Sequence, residues 1–512
     1  MKIFLGLKMR EYLLKRPMLL CAIICIAIAV AGYYSKTLLC VLGIFYAAIF
    51  TLAIIKKSDL KVYFCLFIIF LMFLNTTGLS TKIKSFEKIS SEEQVLQTVV
   101  SDITYKSEDF NFAVFEVTDS SSNLKGQKIT AAYSPKELEL GDKAEITVKV
   151  KPLREDEYKS QYFAKGVYLE GDISKITPDT KNGDFILKAV SKTRDYIRKS
   201  LFSNMGYEEA STLCALVFGD KDYFTAEFED NVRNAGVSHV MVVSGLHLSI
   251  FVAFTLSLTK RRYYNRYLKA AITVGIVFIV MAVCGFTMSI MRAGVTFIVA
   301  AVGTVLKKDN TPANTLGAAT VLILITSPFS IFSVAFQLSL LSTYGILAVA
   351  LPINEYLESR EIIKSSALLK LFTSGLITLS ATVLTLPVSI YYFGKVSLVG
   401  VITNVLISYA VSVALKLTVV GLAVNLVFGG VAEMIFALCE IVVKYVNFVI
   451  NFLGSQKFSA ISVPRHYCIY AIILIILIFY VLLACKKRID MIKLNEMNEK
   501  IIFERGKRKK WR

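Results

Sequence analysis

Hydrophobic and polar positions divide this chain into long apolar runs, one alternating stretch near the N-terminus, and short basic joints. Three runs come first: Met18–Ser35, Thr37–Ile55 and Val62–Leu79. Nine follow the alternating stretch: His239–Leu258, Ala270–Cys284, Phe286–Leu306, Thr311–Thr326, Ser330–Leu351, Leu371–Tyr392, Leu398–Phe428, Val431–Phe452 and Tyr467–Cys485. Most approach the roughly 20 residues that cross a bilayer, so the pattern predicts about 12 transmembrane helices. The run around Asn404 is long enough to predict a broken helix.

Between Ser80 and Pro178 no run is long enough to span. Apolar and polar residues alternate instead over Val95–Ile103, Phe112–Thr118, Lys128–Tyr133, Ala144–Lys151 and Val167–Ile173. Period two broken by Ser, Gly and Asp clusters predicts about five short strands, which fit a small closed barrel of OB type. Such barrels bind single strands through a basic groove and exposed aromatics. Tyr105, Phe110 and Phe112 are the candidates, with core packing the stronger expectation for Phe112. From Asp184 to Ser203 the period changes to that of a helix. Ile186, Val190, Ile197 and Leu201 make its apolar stripe, and Lys192, Arg194, Arg198 and Lys199 sit on the other faces. An amphipathic basic helix of this kind lies in a membrane interface, with lipid headgroups or nucleic-acid phosphate as its partner.

The expected organisation is therefore N-terminal transmembrane helices over 1–79 and a β domain over 80–178. A linker and interface helix over 179–205, a polytopic domain over 206–485 and a basic tail over 486–512 follow. Hydrophobic residues make up 55% of the chain, charged residues 19%, and mean hydropathy is +0.59, as expected of a polytopic membrane protein. The net charge of +19 suits nucleic acid or acidic lipid, but the positive-inside rule accounts for much of it. A basic Met1–Arg16 predicts a cytoplasmic N-terminus, three crossings then place the β domain outside, and an even count returns Lys486–Arg512 to the cytoplasm. The first run lacks a small-residue cleavage site and reads as a retained helix. Cysteines are absent between Cys65 and Cys214, so the β domain holds no internal disulfide.

Chemistry concentrates in Asn234–Phe254, which carries His239 and His247, two of only three histidines in the protein. Ser244, His247 and Phe251 share one helical face. Either they satisfy local backbone at a helix terminus, or they face a water-filled cavity. A Ser–His hydrolase would need an acid partner in defined geometry, and no Gly-x-Ser-x-Gly elbow or phosphate-binding Gly-Lys-Ser/Thr loop occurs. No catalytic residue, metal or cofactor is expected. Arg292 costs about 2.5–3.5 kcal/mol at mid-helix on insertion scales, so it either snorkels to headgroups or meets phosphate in a lumen. Ser289, Gln337, Ser339 and Asn404 are the neutral polar lining expected beside it, or hydrogen bonds between helices.

Val237-Ser238-His239 followed by Ser244-Gly245-Leu246-His247 resembles the signature of the ComEC family, the inner-membrane DNA channel of bacterial competence. Its supporting phrases follow in family order. Ala215-Leu216-Val217-Phe218-Gly219-Asp220 precedes the signature, and Gly285-Phe286 through Ser289-Ile290-Met291-Arg292-Ala293-Gly294 comes after it. Phe336-Gln337-Leu338-Ser339, Leu386-Pro387, Phe393-Gly394-Lys395-Val396-Ser397 and Asn404 complete the set. Ser327-Pro328 departs from the family's usual Asp-Pro. The resemblance implies an OB-like outer domain and passage of single-stranded DNA across the bacterial cytoplasmic membrane during natural transformation. Asp220, His239, Ser244, His247, Arg292, Gln337 and Asn404 are the expected DNA path. Many relatives end in a metallo-β-lactamase-like domain, and with so few histidines this chain reads as a short form without it. The implied partners are single-stranded DNA, membrane lipid, a cytoplasmic ATPase and a separate nuclease, with a homo-oligomer as a further option. A permease for a small anionic solute and a non-catalytic membrane assembly protein are the alternatives. A reporter active only in the cytoplasm, fused near Ser121, should be silent; activity there would overturn the topology.

Overall fold

The computed structural model describes residues 16–477 apart from 56–59, 87–88, 90–91, 107–110, 120–123, 134–137, 155–158, 180–183, 242, 259–264, 309–310, 360–362 and 364. The basic N-terminus, Lys260-Arg261-Arg262, Phe110 and the tail Lys486–Arg512 lie outside the described residues. Helices α1 (Pro17–Tyr34), α2 (Lys36–Ile55) and α3 (Leu60–Phe86) open the chain. Pro17 starts α1 where its missing N–H costs nothing, and the extended Ser35 ends it. Instead of stopping at Leu79, α3 continues to Phe86, whose ring is buried in the barrel core.

The alternating stretch forms β1 (Glu93–Lys106), β2 (Asn111–Asp119), β3 (Lys128–Tyr133), β4 (Lys143–Pro152) and β5 (Val167–Asp179), with the short α4 (Lys159–Ala164) before β5. They close as a barrel in the order β1-β2-β3-β5-β4. β3 and β5 pair in parallel, with Ile129 opposite Leu169, while β1 meets β4 antiparallel, with Leu96 opposite Ile146. Closure removes every unpaired edge. Inward positions Leu96, Val100, Phe115, Ile129, Ile146, Val148 and Leu169 fill the core. Phe112 points outward and is exposed, contrary to the core position expected for it, because Ala113 and Phe115 take the inward register.

Among the described residues, eight helices are long and apolar enough to cross a membrane and four apolar helices are shorter. After the amphipathic α5 (Phe185–Asn204) come two helices that the apolar runs did not predict, α6 (Tyr207–Phe218) and α7 (Ala226–Asn234). From Glu209 to Phe218 every residue of α6 is buried, and 12 residues are too few to reveal a span by hydropathy. Next are α8 (Gly245–Leu258), α9 (Arg266–Val283), α10 (Met288–Val305) and α11 (Pro312–Thr326). A 3-10 turn, Pro328–Phe332, leads to α12 (Val334–Ser359), which contains a π-helical turn at Ile346–Ala350. Helix α13 (Ser366–Phe393) and strand β6 (Lys395–Ser397) precede α14 (Gly400–Asn425), which is continuous through Asn404 and not broken there. Last are α15 (Gly429–Gly454), strand β7 (Ala460–Ser462) paired with β6, and the apolar helix α16 (Arg465–Leu477).

Helix α15 has two apolar faces. Phe436, Cys439, Val443, Val446 and Ile450 are buried, whereas Met434, Ile441 and Phe448 are exposed. Apolar side chains on the outside are stable only against lipid. Two asparagines fasten the inner face: Asn447 Oδ1 accepts from Thr212 Oγ1 at 2.9 Å, and Asn451 Oδ1 accepts from Asn231 Nδ2 at 3.1 Å. The barrel docks on the helices through α4, where Phe163 stacks on Phe329 of the 3-10 turn at 6.0 Å and meets Tyr33 edge-on at 5.9 Å. Ser327, at the family's Asp position, makes no side-chain cap at the start of that turn. Since the barrel has its own core, Phe163→Ala should loosen docking by about 3–5 kcal/mol without unfolding the strands. Amide exchange should accelerate in α4 and Pro328–Phe332 while β1 to β5 stay protected.

Candidate functional site

Irregular backbone at His239–Met241, Val243 and Ser244 separates α7 and its turn from α8 (Val242 lies outside the described residues). The turn is fixed from behind: Gly236 has φ +72°, and a Cβ there would stand 2.6 Å from Ser397 Cβ. Only glycine permits both that backbone and that approach. Ser397 Oγ in turn donates to the Asn234 carbonyl at 2.7 Å, which ties the Phe393–Ser397 phrase to the signature.

Ser244 caps α8. Its Oγ accepts from the Leu246 N–H at 3.3 Å, and its own N–H donates to His247 Nδ1 at 3.0 Å. This is a reciprocal capping box with histidine in the place of the usual glutamate. Because Nδ1 accepts, the ring proton sits on Nε2, which is buried without a hydrogen-bond partner among the described residues. His247 is 0% exposed and does not line the cavity described below. Ser244 Oγ lies 3.3 Å from the same Nδ1, but that nitrogen already holds the cap, so the pair is a helix terminus rather than a nucleophile and its base.

One cavity of about 2760 Å³ runs from the barrel wall into the helices. Asp220, His239, Ser244, Arg292 and Asn404 line it, together with Arg194 and Arg198. Gln337 does not; its Nε2 donates to the Ile331 carbonyl at 2.9 Å and braces the 3-10 turn. Arg292 is 5% exposed, and its Nε donates to Ser339 Oγ at 2.7 Å. Asn404 Nδ2 donates to Thr378 Oγ1 at 2.6 Å on the wall formed by α13 and α14. Irregular backbone and a buried charge at membrane depth are stable only beside water or protein dipoles; the cavity leaves room for the first, and the Ser339 hydroxyl supplies the second.

The four basic residues of α5 divide. Lys192 and Lys199 are exposed and off the cavity, whereas Arg194 and Arg198 turn into it. Arg194 Nε donates to the Val283 carbonyl at 2.7 Å, and burial pushes its pKa down. Arg198 pairs with Asp220 at 3.1 Å and Asp195 at 2.8 Å. Burial opposes its charge, but Tyr223, Asp220 and Asp195 outweigh it and hold the pKa above the ordinary value. Asp220 reaches this position because α6 ends at Gly219 in the left-handed conformation, φ +80°. Sequence periodicity alone did not separate the two arginines from the two lysines, since all four lie off the apolar stripe.

A multi-pass helical membrane protein with a closed OB-like barrel over a large cavity is the class that this architecture defines. The Competence protein family model matches residues 216–488, more than half of the chain, and the chain belongs to that family, in agreement with the ComEC resemblance. ComE operon protein 3 of Bacillus subtilis (strain 168) is 20% identical over 337 residues, covering 65% of this chain and 41% of the relative. The chain thus spans about two-fifths of the length of that curated relative, 41%. No solved structure matches.

The capping box makes a specific demand. His247→Leu should lower unfolding stability in detergent by about 1 kcal/mol, the usual worth of a helix cap. His247→Gln, which retains an acceptor, should recover most of it; equal loss in both variants would remove the cap from the account.

Proposed function

We propose that this protein passes single-stranded DNA through the cytoplasmic membrane of a bacterium during competence. The observation that carries the reading is the continuity of one cavity, with charged side chains along its wall, from the barrel to Arg292. Pockets for small solutes occupy roughly 300–1,000 Å³, and this cavity of about 2760 Å³ is lengthened along the barrel wall. A chain-like polyanion uses that length, whereas a small-anion permease would need only the Arg292 end.

In this reading residues 80–178 form the outer domain, 179–205 the interface helix at the mouth, and 206–485 the channel, with both termini in the cytoplasm. The barrel wall on the cavity offers Lys128 and Lys165, the latter 3.3 Å from Asp102. Arg194 and Arg198 follow at the mouth, and Arg292 lies deepest among the helices. Cations along the way attract phosphates without reading bases, which suits uptake irrespective of sequence. The chain's part is passage rather than chemistry on the strand. Energy and degradation of the other strand come from the partners that the family resemblance implies, an ATPase and a nuclease.

Cells carrying this gene should import labelled DNA, and cells lacking it should not. In the same assay Arg194→Gln with Arg198→Gln should reduce import about tenfold or more, as expected for charge-assisted contacts. Lys192→Gln with Lys199→Gln should leave import unchanged. Equal loss in the two pairs would assign the whole helix to lipid headgroups, and unchanged import in both would remove α5 from the path.

A further inference from the structure

Arg292 is more deeply buried than any other arginine on the cavity wall, and its one protein partner among the described residues is a neutral hydroxyl, Ser339 Oγ at 2.7 Å on Nε. Arg194 and Arg198 differ: the first is held by a backbone carbonyl and the second by two carboxylates. The outer edge of the Arg292 guanidinium faces the start of α8. Its Nη2 stands 3.5 Å from where a Cβ on Gly245 would be, and that Cβ would also lie 3.3 Å from Ala293 Cβ. Glycine at this position lets the helix start approach the guanidinium. A 14-residue helix carries roughly half a positive charge at its N-terminus, so two positive groups converge on one spot of the cavity wall. Like charges converge there at a cost unless an anion joins them.

We propose that Arg292 and the N-terminus of α8 form a seat for a single phosphate monoanion, occupied by successive phosphodiesters of the passing strand. The proposal rests on the DNA-passage reading and adds to it the chemistry of one step. A guanidinium offers two parallel donors to phosphate oxygens, and the positive end of the α8 dipole beside it favours the same anion. The single fixed charge matches a phosphodiester monoanion, and passage needs a site weak enough to release it. Ser339 orients the fork by holding Nε; it is a positioning residue.

The test uses the full chain in phosphatidylcholine nanodiscs, a fluorescent oligo-dT, and anisotropy titrations over a range of KCl. Wild type should bind the oligo-dT and ignore its uncharged methylphosphonate analogue. Arg292→Gln should weaken binding about tenfold or more and reduce the salt slope by about 0.7, the loss of one phosphate contact on a single strand. Arg292→Lys should keep the slope with a smaller loss of affinity, and Ser339→Ala should keep the slope with a loss of a few-fold. Unchanged slope in Arg292→Gln overturns the seat while leaving the DNA reading intact. If Arg292→Gln does not insert, the slope of Gly245→Val, whose side chain would fill the gap before the guanidinium, decides the question: a fall of about 0.7 supports the seat and no fall overturns it. Arg292-dependent binding of inorganic phosphate without binding of oligo-dT would keep the seat and sink the DNA reading. Binding of neither sinks both. If anionic phosphatidylglycerol discs erase the difference between wild type and Arg292→Gln, a lipid phosphate holds the site and the strand proposal falls.

Discussion

A charged guanidinium that enters a helical bundle with one hydroxyl for company fixes much of what surrounds it. Without water or dipoles beside it, Arg292 would cost several kcal/mol in hydrocarbon. The helices stand apart around a cavity at Arg292 instead of packing shut. That space also makes the irregular His239–Ser244 backbone tolerable, since exposed amides and carbonyls at membrane depth need partners. Ser244 and His247 then restart the helix: Ser244 lines the cavity and caps α8, while His247 turns away from it and accepts from the Ser244 N–H. The path and the break in the helix are two consequences of one requirement.

The barrel half follows from a different constraint. A sheet over a membrane surface must hide its edges, and closure of five strands does so. The closed barrel is then a rigid body with its own core, free to be carried on α3 and fastened by α4. Phe163, Tyr33 and Phe329 provide that fastening, and the cavity lies between the barrel and α5. Arg198 bridging Asp195 and Asp220 sets the other lip of the mouth.

Much of this was legible in the residues. Apolar run length located nearly every long helix, because lipid imposes one length on all of them, and period-two alternation located all five strands. Helices α6 and α7 were missed because neither is long enough to register as a span: α6 is buried from Glu209 onward yet carries Glu, Ser and Thr among its apolar residues, and α7 is largely polar and partly exposed. The extension of α3 past Leu79 escaped because its last turns are polar, yet they run beneath the barrel. At the site, ordered phrases brought Asp220, His239, Ser244, Arg292 and Asn404 to one cavity. Residue type could not separate them from His247 and Gln337, which bond backbone groups away from the cavity. Spacing gives the face of a helix; which neighbour that face meets is a tertiary fact.

The central claim is that the cavity is wet and continuous, and thiol labelling tests it most directly. In a background without native cysteines, Thr382→Cys places a thiol on the α13 wall of the cavity, while Met434→Cys places one on the exposed face of α15. A membrane-impermeant methanethiosulfonate added from outside should modify the first rapidly and the second hardly at all, and single-stranded DNA should slow the first. Equal, slow modification of both sites would mean that the helices enclose no water path, and the account would fail.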